Sequence, residues 1–326
     1  MRHDPGSSQV LSRPRPLRVA VAVIADSRGR ILVARRPPHL HQGGRWEFPG
    51  GKIAPGETPC RALQREIREE LGVMVRDARP LLRVSHAYPD RHVLLDVWRV
   101  LEYRGVPVGR EGQTLRWVAL QALEGLEFPA ANRPIVRAVQ LPERYLITPL
   151  FSDAAAFLRR IESLAETGAM TGAMLLLRAP WLDDADYAQL AGEVLARSRH
   201  AAVLLHDAPG LALASGAAGV HLSSRSLMAL QQRPLPEDRL VGASCHDARE
   251  LAHARRIGVD FAVLSPVQAT ASHPGAQPLG WERFRVLAGT AGLPVYALGG
   301  LGPEDLPRAR QEGAVGVAAI RGFWGR

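Results

Sequence analysis

The clearest pattern of apolar and polar positions lies between Gly51 and Val73, where the spacing predicts an amphipathic helix. Thr58 suits the N-cap, and Pro59 suits the first helical position, where a missing N–H costs nothing. Gly72 stands where a left-handed residue commonly ends a helix. Every fourth residue of the segment is apolar, which gives a stripe of Leu63, Ile67 and Leu71.

Aliphatic runs on both sides of this helix predict β-strands. Residues 17–24 and 31–34 flank a turn at residues 26–30, and this arrangement predicts a β-hairpin. A second helix is predicted over residues 133–139. Strands around one central helix, with a second helix later, indicate a mixed α/β sandwich. Further strands are predicted at residues 81–86, 92–102 and 117–120.

Apolar β-type runs alternate with helical segments through the second half of the chain. The alternation predicts parallel strands with helical crossovers, the pattern of a short (β/α)8 barrel of the TIM type. We place the boundary near Pro142, with one domain over residues 17–141 and the barrel over residues 142–326. Six residues follow Ile320, so we expect the eighth helix to be all but missing. The predicted strands are residues 145–148, 174–177, 202–205, 219–222, 240–243, 261–264, 294–298 and 316–320.

Length and charge fit this division and narrow the classes of ligand. A chain of 326 residues is long enough for about two domains. Its net charge of +9 suits an anionic ligand such as a nucleotide, with non-specific nucleic-acid binding and a solubility bias as alternatives. We expect no stable nucleic-acid partner. No long apolar run resembles a membrane span, so we expect no membrane segment.

The N-terminal stretch and the cysteines bear on location in the cell. Residues 1–16 are basic, rich in Ser and Pro, and lack the apolar core of a signal peptide, so we expect a disordered tail. Cys60 and Cys245 lie in different halves without a metal-type spacing, and we expect both to be reduced. These features predict a cytoplasmic protein.

Three acidic residues, Glu66, Glu69 and Glu70, lie about one turn apart beside the apolar stripe. Like charges at such spacings cost an isolated helix about 0.2–0.5 kcal/mol per pair. Clustered carboxylate oxygens suit Mg²⁺ or Mn²⁺, which favours a metal site. The alternative is a solvated acidic face on which Arg65 pairs with Glu69.

The flanking residues favour the metal site. Gly51, Glu57 and the run from Arg65 to Val73 resemble the Nudix hydrolase signature at every defined position. Outside the helix the resemblance narrows to the MutT type, the 8-oxo-dGTP diphosphatases. It implies an α/β/α sandwich and a nucleoside triphosphate substrate, 8-oxo-dGTP. The segments that carry the narrower resemblance are residues 35–36, 41, 47–52, 88–92, 109–113 and 128–132.

The MutT resemblance implies roles for individual residues. The catalytic glutamates would be Glu66, Glu69 and Glu70, and these residues would hold the metal together with Glu111 and the Gly50 carbonyl. Attack at the β-phosphorus would release a nucleoside monophosphate and pyrophosphate, in a role of nucleotide-pool sanitation and mutation avoidance. The implied substrate contacts are Arg36, His41, Glu47, Phe48, Pro49, Gly50, Arg91 and Asn132.

Several of these contacts have ordinary structural alternatives. Phe48 would pack near the base or else belong to the core. The Asn132 amide would read the purine edge, cap the following helix, or do both. Arg36 and Arg91 taken alone would be surface charges. The fused barrel also leaves open a thiamine-related pyrophosphate as the substrate of the first half.

The second half resembles thiamine-phosphate synthase and its TenI-like relatives. The residues that carry this resemblance lie at 219–222, 242–246, 265–266, 270–272, 297–300 and 313–316. It implies a phosphate cradle at Gly299 and Gly300, in the last two βα loops, and a phosphorylated thiamine-type ligand. His206, His221 and His246 fall at strand ends, but no acidic cluster accompanies them, so we expect no metal there.

Three departures from the synthase pattern weaken the expectation of synthase activity. Residues 178–180 read Arg-Ala-Pro and lack the family's lysine, while Ser223–Ser226 replaces the expected metal-binding acid. Residues 270–273 lack the lysine of the phosphate loop. These losses remove groups that would stabilise a departing pyrophosphate. We therefore expect a ligand-binding or structural barrel, with an active synthase as the alternative.

Overall fold

The computed structural model describes residues 16–39, 42–270, 275 and 277–324. The predicted tail therefore lies outside the described residues except for its last position, and so does His41. Within the described ranges no helix combines the length and apolar character needed to cross a membrane.

The predicted central helix is confirmed as α1, which spans Pro59–Leu71. Thr58 caps it, because its hydroxyl accepts a hydrogen bond from the Arg61 N–H at 3.3 Å. Gly72 follows in the left-handed conformation, with φ of 68°. The whole apolar stripe is buried, so α1 is fixed by packing as well as by its caps.

Two small β-sheets make up the rest of the first half. One has the strand order β4-β1-β6-β5 and the other β3-β2-β7, and α1 packs on the first. The second helix, α2, spans Arg133–Gln140 after short 3-10 turns at Leu120–Gly125 and Ala130–Asn132. The strands are β1 (Leu17–Val23), β2 (Ile31–Arg35), β3 (Trp46–Glu47), β4 (Gly50–Lys52), β5 (Met74–Ala87), β6 (His92–Arg104) and β7 (Thr114–Val118).

The prediction that the first two strands form a hairpin is correct only for the turn between them and is wrong for the pairing of the strands. Ala25 and Ile31 form an antiparallel bridge, after which β1 and β2 enter different sheets. The reason is that both edges of β1 are occupied, since β4 pairs with one edge and β6 with the other. The local run of aliphatic residues is right for two strands but does not identify their partners.

All eight predicted strands of the second half are confirmed. They are parallel and close into a barrel in the order β10-β11-β12-β13-β14-β15-β8-β9. Residues 320–324 form turns instead of an eighth helix. The strands are β8 (Arg144–Ile147), β9 (Ala173–Leu177), β10 (Ala201–His206), β11 (Gly219–Leu222), β12 (Leu240–Cys245), β13 (Phe261–Leu264), β14 (Val295–Ala297) and β15 (Gly316–Ala319).

Helices cover the outside of the barrel. Their apolar faces pack on the strands in two buried clusters, while aromatic residues fill the interior. A 3-10 turn at Pro303–Asp305 precedes the last of them. The helices are α3 (Ala154–Glu166), α4 (Asp184–Arg197), α5 (Pro209–Ser215), α6 (Ser224–Ala229), α7 (Ala248–Arg256), α8 (Gly280–Ala291) and α9 (Leu306–Gln311).

The two halves share one hydrophobic core. Tyr145, Phe261 and Tyr296 fill the barrel near the N-terminal ends of its strands and belong to the same buried cluster as Ile135 and Val139 of α2. On the barrel side, α8 and α9 also pack against β5. The first half therefore sits against the N-terminal end of the barrel, away from the loops where barrel sites form.

Candidate active site

Arg65 organises the outer carboxylates of α1. Its guanidinium lies 3.0 and 2.9 Å from the two Glu57 oxygens, 2.7 Å from Glu66 and 3.2 Å from Glu69. It also donates to the Lys52 carbonyl at 3.0 Å. The pair with Glu69 agrees with the surface-pairing alternative, but the contacts to Glu57 and Glu66 were not foreseen. Arg65 thus joins the loop before α1 to the acidic face of the helix.

Glu70 is held separately, on the side of α1 that faces β4. Its carboxylate accepts hydrogen bonds from the Gly50 N–H at 3.0 Å and from the Gln113 amide at 3.2 Å. The Gln113 side-chain oxygen in turn accepts from the Glu111 N–H at 2.8 Å. Burial raises the pKa of Glu70 to about 7, and the charges of Glu47 and Glu111 also act to raise it. Gln113 therefore links two predicted metal ligands, a role the sequence reasoning did not assign.

Two glycines let β4 pack closely against β1 and against the Glu66 carboxylate. Gly50 has φ of 147°, and a Cβ there would lie 2.1 Å from the Ala20 carbonyl oxygen. A Cβ on Gly51 would lie 2.0 Å from a Glu66 carboxylate oxygen. Both contacts are far shorter than real Cβ contacts, so neither position accepts a side chain without movement.

The predicted metal ligands are not gathered into a ready-made cluster. Among the described residues no group of three His, Cys, Asp or Glu side chains could hold a metal ion as it stands. Arg65 occupies Glu66 and Glu69, while Glu70 is bonded to Gly50 and Gln113. The donor set nevertheless fits a hard divalent cation, because it consists of carboxylate oxygens. Glu70 is also buried near other carboxylates, a repulsion that such a cation would offset.

Arg36 and Glu47, both predicted to contact substrate, form an ion pair with each other. Burial raises the pKa of Glu47, and the Arg36 charge opposes that rise. Neighbouring β3 is tied to the loop after β7, because the Trp46 N–H donates to the Glu127 carbonyl at 2.9 Å. Glu47 therefore lies on a strand held from both sides, and its charge acts on Glu70 of α1.

Phe48 lies inside the core and presents little surface to a ligand. Its side chain is 3% exposed and stacks on Phe128, with ring centroids 5.4 Å apart. Pro49 is buried beside it, and its carbonyl accepts from the Ala22 N–H at 2.8 Å. This placement agrees with the core alternative for Phe48, while its contact with a base stays a prediction.

Asn132 stands at the N-cap of α2 but does not cap the helix with its side chain. The residue is 9% exposed. Next to it, the Ala131 N–H donates to the Tyr88 hydroxyl at 3.3 Å. Arg91, another predicted substrate contact, is exposed and pairs with Asp90 at 2.9 Å. The Asn132 amide is therefore buried without serving the helix, as a recognition group would be.

The three strand-end histidines of the barrel have different partners, and His221 is buried inside the barrel. His221 contacts the Tyr145 hydroxyl at 3.1 Å and the Ser244 hydroxyl at 3.0 Å, and burial lowers its pKa to about 3. His246 lies 2.8 Å from the Ser265 carbonyl, and His206 lies at 3.8 Å from its neighbour Asp207. Each of the three histidines therefore has a different side-chain or carbonyl partner.

Asp207 is an acid at the barrel mouth that the sequence reasoning missed. It follows β10, and its carboxylate accepts from the Ser223 N–H at 2.7 Å, so it reaches the end of β11. The acid that the synthase resemblance implies would follow β11, where this chain has Ser223. Across the mouth, Gly299 and Gly300 have φ of 107° and 69°, and Cβ atoms there would clash with residues 266–269. The predicted cradle loop therefore packs closely on its neighbour.

Comparisons with known proteins match the two halves separately. The NUDIX domain family matches residues 20–138, and the thiamine monophosphate synthase (TMP-TENI) family matches residues 144–323. The 8-oxo-dGTP diphosphatase of Escherichia coli K12 is 38% identical over 120 residues, which cover 37% of this chain and 93% of that protein. The CTP pyrophosphohydrolase of the same organism is 37% identical over 115 residues, covering 35% of this chain and 84% of that protein.

The barrel has a relative of similar strength. A protein of Aquifex aeolicus VF5, provisionally named thiamine-phosphate synthase 2, is 34% identical over 187 residues. The match covers 57% of this chain and 99% of that protein. The chain therefore belongs to the Nudix family through its first half and to the thiamine monophosphate synthase family through its second.

Proposed function

We propose that the Nudix half is a nucleoside triphosphate pyrophosphohydrolase that acts on 8-oxo-dGTP with Mg²⁺ or Mn²⁺. The products are 8-oxo-dGMP and pyrophosphate. The single observation that carries the substrate assignment is the Asn132 side chain, which is buried yet makes no cap bond. An amide offers both a donor and an acceptor, so it matches the altered edge of an oxidised guanine. A cytoplasmic role in nucleotide-pool sanitation follows from this substrate.

The glutamates of α1 divide the chemical work. Glu66 and Glu70, with Glu111 and the Gly50 carbonyl, would hold the cation. Once bound, that cation supplies charge neutralisation of the polyphosphate and lowers the pKa of the attacking water. Glu69, whose side chain is 57% exposed, would accept the proton from water after its carboxylate leaves Arg65. Gln113 and the Gly50 N–H keep the Glu70 carboxylate oriented.

A substrate comparison on the full-length protein tests this assignment. With Mg²⁺ present, we expect kcat/KM for 8-oxo-dGTP to exceed that for dGTP and for CTP. CTP belongs in the set because the two Escherichia coli relatives are nearly equally similar to this chain. Thiamine pyrophosphate tests the alternative suggested by the fused barrel. A preference for dGTP, CTP or thiamine pyrophosphate would contradict the sanitising role.

For the barrel we propose binding of a phosphorylated thiamine-type ligand without synthase turnover. The observation that favours this function is the mouth itself, where the glycine loop after β14 is intact while Ser223 occupies the expected acidic position. Asp207 supplies one carboxylate there, but its oxygen is already bonded to the Ser223 N–H. Calorimetry of the full-length protein with thiazole phosphate should show binding. Formation of thiamine phosphate from the two synthase substrates would overturn this proposal.

A further inference from the structure

Three arginines converge where the Nudix half meets the barrel. Arg79 of β5 and Arg99 of β6 are directly opposite each other in the antiparallel pair, and Arg310 comes from α9, which packs against β5. Glu143, in the segment that joins the halves, lies 3.6 Å from Arg79 and also pairs with Arg310. We call these three arginines the junction cluster.

The positive charge of the junction cluster is only partly neutralised by neighbouring carboxylates. Within the described residues, Glu143 is the carboxylate that pairs with it, so three positive charges face one negative charge and an excess of two remains. Burial, together with the charges of Arg99 and Arg310, lowers the pKa of Arg79 to about 10. Glu312, which follows α9, pairs with Arg285 at 3.0 Å and not with the cluster.

Each arginine of the cluster also has one buried N–H donor without a hydrogen-bond partner. Arg79 Nη1, Arg99 Nε and Arg310 Nε are buried nitrogens without a hydrogen-bond partner. Buried N–H groups are nearly always paired, and an unpaired one on a charged group is especially unfavourable. Three such donors in one cluster, on elements from both halves, form the arrangement of a receptor for oxygen acceptors.

We propose that the junction cluster is a binding site for a small doubly charged oxyanion of the phosphate class. A dianion cancels the excess charge, and its several oxygens can accept from donors on three different elements. Guanidinium groups suit this task because their planar donor forks match phosphate oxygens. Chloride would cancel only half the excess and offers no separate oxygens. The edge of the cluster is accessible, since the Arg310 side chain is 29% exposed while Arg79 is 12% exposed.

Binding there has a structural consequence. The anion would contact β5 and β6 of the Nudix half and α9 of the barrel at once, so it would brace the junction. Ligands that bind the folded state alone raise its stability by mass action. Phosphate should therefore stabilise the full-length protein more than chloride does at equal ionic strength.

Thermal unfolding of the full-length protein with phosphate and with chloride, at matched ionic strength, tests the site. Arg310→Gln removes one donor at the exposed edge, and Arg285→Gln on α8 is the matched control, because its guanidinium pairs at the surface with Glu312. Phosphate also has access to the polyphosphate and barrel sites, so the comparison between variants carries the result. We expect the phosphate-specific rise in Tm to fall by at least half in Arg310→Gln and to persist in Arg285→Gln.

Titration calorimetry with inorganic phosphate gives a second measurement. Arg99→Lys keeps the charge but loses the fork, and it should weaken phosphate binding at the junction by about tenfold, while activity on nucleotides is unchanged. The proposal fails if wild-type protein shows no phosphate-specific rise in Tm. It also fails if Arg310→Gln and Arg99→Lys respond to phosphate as the wild type does.

Discussion

Replacing Asn132 by alanine should cost base selectivity while leaving the fold intact. The side chain stands at the N-cap of α2 but makes no cap hydrogen bond, so its removal deprives the helix of nothing that holds it. It is 9% exposed, and a base that reaches it would be recognised largely out of water. Loss of the side chain should therefore reduce base selectivity and not the stability of α2.

The expected size follows from the two hydrogen bonds that one amide can make to a base edge. Bidentate amide recognition of a base is worth about 1–3 kcal/mol against the wrong base, or about 5- to 150-fold in rate. The ratio of kcat/KM for 8-oxo-dGTP to kcat/KM for dGTP should fall by that factor in Asn132→Ala. Steady-state assays of pyrophosphate release from both nucleotides measure it directly.

A matched control separates recognition from helix capping. Asp153 is also an N-cap, but its carboxylate does accept a hydrogen bond, from the Ala156 N–H at 3.0 Å. Asp153→Ala should lose about 1 kcal/mol of unfolding free energy with unchanged selectivity. Asn132→Ala should show the reverse pattern. Equal loss of kcat/KM on both nucleotides, or destabilisation like that of Asp153→Ala, would refute the reasoning.

Three further predictions concern catalysis, pH and the junction. Glu70→Gln removes a charge from the metal ligands and should lower kcat at least about tenfold with Mg²⁺ while the circular dichroism spectrum is kept; near-normal turnover would contradict its role. His221 has a folded pKa of about 3, below its ordinary value, so the unfolded state binds the proton first. The contribution of His221 to the unfolding free energy should be complete above about pH 6.5 and should fall by up to about 1.4 kcal/mol per pH unit below it. Urea titrations at several pH values should find a smaller slope in His221→Asn. Arg137→Ala removes a hydrogen bond of 2.7 Å to the Glu237 carbonyl and an ion pair of 3.1 Å to Asp260, and should cost about 1–3 kcal/mol in denaturant unfolding; an unchanged midpoint would show that this contact does not hold the halves together.

Local patterns predicted the elements of this fold better than their pairing. The α1 helix and the eight barrel strands follow from periodicity and capping residues that lie within each segment. The hairpin of β1 and β2 was wrong because β1 is claimed by β4 and β6, and the choice of partners is made across the fold. No local run of residues carries that information.

The same division holds in the candidate site. The motif identified Glu66, Glu69 and Glu70 as candidate ligands. It did not show that Arg65 pairs with two of them while it also binds Glu57 of the preceding loop. The bond between Glu70 and Gln113 spans 43 positions, and the capping status of Asn132 depends on backbone angles. Such features require the coordinates. The tightly packed Gly51, by contrast, was already visible as a defined position of the motif, and Gly50 lay in a segment that carries the narrower resemblance.

The filled interior of the barrel limits how a small molecule could pass from one half of the protein to the other. Tyr145, Phe261 and Tyr296 close the axis of the barrel at the end that rests on the Nudix half. No small molecule can be channelled along that axis from one centre to the other. Any metabolite that both halves handle must therefore pass between them by a route outside the barrel.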